Sequence, residues 1–295
     1  MTGQQYAVRA GWRSGSAGFG LYVGASTLAG LGSTMLAFAV NWEATGFGAR
    51  IAGLVATLGA LPRAILMLLG GAIADRHGIR RIMIICDACM TTILISSLSI
   101  LIGTESTLPV IIGLSVLGGA ISAFYLPAAG GFVRLFVPAE RLPKVMARVG
   151  GVQQVARLVG PGLGALVVVA AGLIGALGAN LISYLVIMVA LLVVRPPIRL
   201  AADSGEHPAV KGTAGQVLDG LRQAGRTAGM PAALGSLALV AGGVLPVIYL
   251  GVPLLVREQG RGVRAAGWIE SAWIVGSLLV TVIMARWGAY RRAGG

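Results

Sequence analysis

Charge is scarce in this sequence. Only 11% of the 295 residues are Asp, Glu, Lys or Arg, and just 10 of them are acidic. With 56% hydrophobic residues and a mean hydropathy of +0.87, the chain has too little polar surface to cover a soluble domain of this size. Cysteine is almost absent, which excludes a disulfide framework. The two present, Cys86 and Cys89, have C-x-x-C spacing but lie inside an apolar run without further ligands, so they read as small packing residues rather than a redox or metal centre. Histidine is equally rare: His77 and His207 both fall in polar connections. No nucleophile–His pair, metal cluster or phosphate loop stands out, so an enzyme is not expected, nor a cofactor or bound metal. Aromatics make up 6% of the chain. Trp42, Trp268 and Trp273 fall near the predicted outer ends of spans, where indoles anchor at the lipid interface; a substrate cage is the lesser reading.

Long apolar runs, in contrast, recur throughout. Each is near the roughly 20 residues that a helix needs to cross about 30 Å of hydrocarbon. The expected fold is all-α: a polytopic transmembrane helical bundle, with the lipid bilayer as its first partner. Spans are predicted at 19–42, 51–74, 82–103, 108–126, 149–172, 176–194, 231–256 and 265–285, with a longer basic segment over 127–148. The Arg195-Pro196-Pro197 sequence stops the sixth span, since proline cannot extend a helix. Residues 195–230 are the one long polar stretch, and within them GQVLDGLRQAGRTAG has the spacing of a short surface helix. This divides the chain into a six-helix unit (1–194), a cytoplasmic linker (195–230) and a two-helix unit (231–295). The first 17 residues are polar and glycine-rich, unlike a cleavable signal peptide. The net charge of +13 does not indicate nucleic acid, because the basic residues are spread over short loops. Placing the N-terminus in the cytoplasm puts 17 of the 23 Lys and Arg on that side. The positive-inside rule therefore predicts a multi-pass protein of the cell inner membrane in that orientation.

The densest group of charges is GGAIADRHGIRR, between the second and third spans. Gly71, Asp75, Arg76, Gly78, Arg80 and Arg81 follow the pattern G-xxx-D-R-x-G-x-R-R. Gly71 permits close helix approach and Gly78 a chain reversal, while Asp75 suits a helix N-terminus. The stretch resembles the signature loop between helices two and three of the major facilitator superfamily of secondary transporters. That resemblance implies two six-helix halves that rock about a midplane site, with these six residues as a gating motif. A degenerate second copy supports it: in ARWGAYRR, Arg286, Gly288 and Arg291 align with Arg76, Gly78 and Arg81, 210 residues earlier, while Ala285 replaces the acid and Thr281 the leading glycine. On that pattern the chain holds the six helices of a first half plus two helices of an incomplete second half, so it is expected to be truncated after the eighth span.

The fifth span contains ARLVGPGLGALV. Its Gly160, Pro161 and Gly164 resemble the core of the antiporter signature in the fifth helix of exporters of this superfamily, where a kink is associated with export; Ala156 and Ala165 depart from the fuller signature. FYLPAAGGFVRLFVPAERLPKVMARVGG and GANLISYLV resemble the drug:proton antiporter branch that includes macrolide efflux proteins and the enterobactin exporter. The R-x-x-Q-G motif of some other drug exporters is absent from the fourth span.

Ionisable groups within a bilayer are costly, and four of them are candidates. Arg63 lies 12 residues before Asp75, close to mid-membrane at 1.5 Å per residue, and Arg157 is similarly deep. Both read either as cavity-lining substrate contacts or as buried structural charges paired with carboxylates or helix-end carbonyls. Asp87 and Glu270 read as an ion pair or as proton-coupling groups, with Glu270 alternatively an interfacial residue. The resemblance implies a proton-coupled efflux transporter that exports a small amphipathic molecule, such as a drug or siderophore, by alternating access. The alternative is a truncated, non-transporting membrane protein that needs a separately encoded remainder of the second half.

Overall fold

A computed structural model of the chain describes residues 3–104, 106–138, 140–194, 230, 232, 235–236 and 247–287. Among these residues the secondary structure is helical, without a strand. The helices are α1 (Gly3–Gly46), α2 (Ala49–His77), α3 (Ile79–Thr104), α4 (Thr107–Phe132) and α5 (Leu142–Val193). After the linker come a π-turn (Val247–Gly251), α6 (Val252–Glu258) and α7 (Val263–Trp287). Helix is the solution that satisfies each backbone group within its own segment, as a hydrocarbon setting requires even of glycine-rich runs. The hydroxyls follow the same rule. Thr27 donates to the Val23 carbonyl at 2.7 Å, Thr34 to Leu31 at 2.9 Å and Ser115 to Ile111 at 2.8 Å, so each stays within its own helix. Five of the described helices are long and apolar enough to cross a membrane. One of them, α5, is 52 residues long and is two spans in one, joined at Gly172 (φ 60°, ψ −157°).

The connections are shorter than the sequence suggests. The predicted loop between the second and third spans shrinks to Gly78 alone, with φ 89°. Only a residue without a Cβ adopts that conformation cheaply, so one glycine reverses the chain. The segment 127–148 is mostly helical as well: α4 continues to Phe132, a 3₁₀ turn covers Val133–Leu135, and α5 begins at Leu142. The apolar residues that follow α4 are buried, while Arg134, Glu140 and Arg141 are exposed. Phe132, Val133, Leu135, Phe136 and Val137 pack beneath the bundle, where Phe132 meets Tyr22 edge-on at 4.7 Å and Phe136 at 5.2 Å.

The packing places α1 along α5, α2 along α4, and α3 against both α4 and α5. Small residues set the closest approaches. A Cβ at Gly119 of α4 would overlap the carbonyl oxygen of Gly59 in α2, and one at Gly32 of α1 would overlap the Ser183 hydroxyl of α5. The α7 helix packs on the first arm of α5. The predicted linker helix and most of the seventh span lie outside the described residues.

Candidate functional site

The signature stretch is helix, turn, helix. Gly71, Asp75 and Arg76 belong to the last turns of α2, and their side chains, with that of His77, lie outside the described part of the structure. Arg80, in the first turn of α3, is placed in detail. Its Nε and Nη2 donate to the Leu191 carbonyl at 3.0 and 2.7 Å, and Nη2 also donates to that of Leu192 at 3.0 Å. A cation therefore closes the C-terminal carbonyls of α5, where the helix dipole favours positive charge. Arg81, one residue on, is exposed. In the degenerate second copy, Ala285 and Arg286 are helical backbone, while Gly288 and Arg291 lie outside the described residues.

The kink residues Gly160, Pro161 and Gly164 are all buried. A Cβ at Gly160 would overlap the Thr34 hydroxyl of α1, and one at Gly164 would lie 2.9 Å from the Met35 carbonyl oxygen. The neighbouring face of α5 meets α7: a Cβ at Gly267 would overlap that of Ala165 and come within 3.2 Å of the Pro161 carbonyl oxygen. One short stretch of α5 is thus clasped by α1 on one side and by α7, from the predicted second half, on the other.

Among the described residues two carboxylates are buried. Asp87 on α3 is 0% exposed, and neither of its carboxyl oxygens has a hydrogen-bond partner. Among the described residues no basic side chain pairs with it. Three tyrosines from three other elements lie within electrostatic range of it: Tyr22 of α1, Tyr125 of α4 and Tyr184 of α5. Reading α3 by itself singles out the acid but not these phenols, since nothing in a linear pattern joins residues 22, 87, 125 and 184. Glu270 on α7 is 2% exposed, and its Oε1 is without a partner. It continues the buried stripe of Val263, Ala266 and Gly267, at the i, i+3, i+4, i+7 spacing of one helix face. Its setting is a helix interface.

Arg63 on α2 and Arg157 on α5 are exposed, so the reading of them as buried structural charges does not describe the structure. Pro62 beside Arg63 is half-buried. Of the three predicted belt tryptophans, Trp268 and Trp273 are exposed (71% and 49%), but Trp42 is buried. The Arg257 guanidinium lies over its indole, 4.5 Å from the ring centroid. Among the described residues no three His, Cys, Asp or Glu side chains gather as a metal site would require.

Several long apolar helices joined by glycine turns, with unpaired acids inside, define a polytopic helical membrane protein. The family description Major Facilitator Superfamily matches residues 22–294, and the chain belongs to that family of transporters. No curated protein matches the chain in sequence.

Proposed function

We propose that the protein is a proton-coupled efflux transporter of the cell inner membrane, with its N-terminus in the cytoplasm, exporting a small amphipathic molecule by alternating access. The observation that carries this reading is Asp87: fully buried, with both oxygens unpartnered, and central to the first half. An isolated carboxylate in an apolar interior is too costly to stay charged. It is neutralised by a proton or by a counter-ion that arrives with another conformation, and either event ties protonation to the state of the bundle. Glu270, buried on α7, is the corresponding group in the second half. The tight packing of Gly160 and Gly164 on α1 supports export, because in exporters of this superfamily the kinked fifth helix is associated with closing the inner cavity. Arg63 and Arg157, exposed on α2 and α5, are the cavity cations. They favour substrates carrying negative charge beside an apolar body. Gly71, Asp75, Arg76, Gly78, Arg80 and Arg81 form the gate.

The test is efflux of a panel of fluorescent dyes, including acidic ones, from energised inverted vesicles. Efflux that collapses with the proton gradient and is lost in Asp87→Asn supports the reading. A parent protein that is folded in the membrane yet moves no dye, or moves it regardless of the gradient, overturns it.

A further inference from the structure

We propose that Arg257 and Trp42 form a latch that holds the two halves of the bundle together at the face opposite Gly78. This rests on the alternating-access reading and adds the device that regulates it. Trp42 is near the C-terminal end of α1, in the first half; Arg257 is near the end of α6, which closes the seventh span. They are 215 residues apart in sequence, and two contacts join them, with a third from Arg257 to Gly46. The guanidinium stacks over the indole at 4.5 Å. Its Nη2 donates to the Trp42 carbonyl oxygen at 3.1 Å. Its Nη1 fills the space above Gly46, where a Cβ would stand 2.5 Å away.

Each element of this contact suits a catch more than a fixed strut. Cation–π stacking and a charge-assisted hydrogen bond gain strength as water leaves, so they hold firmly once the halves meet. Yet the Arg257 Nε is buried without a partner, a cost that opening to water relieves. Trp42 also joins Phe38, Ala165, Val256, Val263 and Ala266 in a small apolar cluster from α1, α5, α6 and α7. Rocking the halves apart at this face separates α1 from α6, and it breaks the stack, the hydrogen bond and this cluster together. The latch thus sets the balance between the conformation open at this face and the one seen here, in which it is shut. Gly46 is the keyhole, since any larger residue displaces the guanidinium.

The experiment measures the distance between spin labels introduced by Phe47→Cys and Arg261→Cys, both exposed positions, in a Cys86→Ala, Cys89→Ser background reconstituted in lipid. The parent should show a dominant short distance. Arg257→Ala should raise the ratio of long to short populations about tenfold, and Trp42→Phe and Arg257→Lys by less, because each keeps part of the contact. Gly46→Ala should act in the same direction. Distance distributions that superimpose on the parent's in the variants that keep its melting temperature overturn the latch. If Arg257→Ala does not fold, Trp42→Phe and Arg257→Lys decide in its place. The readout needs no transport: labels that separate in a protein without efflux keep the latch and sink the transporter reading, and the converse result does the opposite.

Discussion

Gly164 of α5 sits directly against the main chain of Met35 in α1: a Cβ placed on it would lie 2.9 Å from the Met35 carbonyl oxygen and 3.1 Å from its Cα. Backbone atoms cannot rotate aside, so Gly164→Ala must push two long helices apart. It should cost about 1–3 kcal/mol, as overpacking does. Gly162→Ala meets only the Ser271 hydroxyl, at 2.9 Å, which can turn away, and should cost under about 1 kcal/mol. At Gly24 nothing lies within 4 Å, and alanine there should be neutral or slightly stabilising through its better helix propensity, by at most about 1 kcal/mol. Thermal unfolding in detergent, followed by tryptophan fluorescence, ranks the three. Equal losses at 162 and 164 would show that the α1–α5 contact does not set the packing.

Arg80 and Arg81 are neighbours with different fates. Arg80 donates three hydrogen bonds to the carbonyls that end α5, whereas Arg81 is exposed. Arg80→Gln should lower stability by about 1–2 kcal/mol, from lost charge-assisted bonds at a half-buried helix terminus. Arg81→Gln should stay within about 0.5 kcal/mol. Hydrogen exchange gives the local check: amides of residues 190–194 should exchange faster in Arg80→Gln alone. Similar exchange in both variants would mean that Arg80 caps nothing in the membrane.

The spans were legible because lipid demands one property of a helix, continuous apolarity over its length, and a linear sequence displays that directly. Gly78 was legible for a related reason: a lone glycine between two runs is where a chain can take φ 89°. Relations between helices were not. In a span that is apolar on every side, no periodicity marks the buried face, so nothing distinguished Trp42, which lies under Arg257, from Trp268, which stands exposed. The tyrosines around Asp87 were hidden in the same way, each being an ordinary aromatic within its own helix. Over 127–148 the sequence displays basic content, and nothing in it marks the burial of Phe132, Leu135 and Phe136 that shapes the connection.

Asp87→Asn separates coupling from folding. The carboxyl is fully buried and makes no hydrogen bond among the described residues, so no partner seen there depends on its charge. An amide of equal size should leave the melting temperature unchanged or raised, since replacing an unpaired ionisable group removes a desolvation cost. Gradient-driven dye efflux should nevertheless be lost. A marked drop in melting temperature would instead reveal a structural partner for the acid and weaken its assignment to proton movement.

Arg63 and Arg157 offer the opposite dissociation, of substrate binding from structure. Both are exposed on their helices, so alanine at either should leave the melting temperature close to the parent's. If they line the transport path, each substitution should weaken recognition of an anionic dye by about tenfold, the usual worth of a charge-assisted contact in a site partly closed to water. An uncharged dye of similar size should be affected much less. Lysine should restore part of the affinity for the acidic dye by returning the charge without the planar fork. Concentration dependence of efflux, measured for the two dyes with each variant, tests this directly. Equal losses for charged and uncharged dyes would remove both arginines from substrate recognition and leave them as surface charges on α2 and α5.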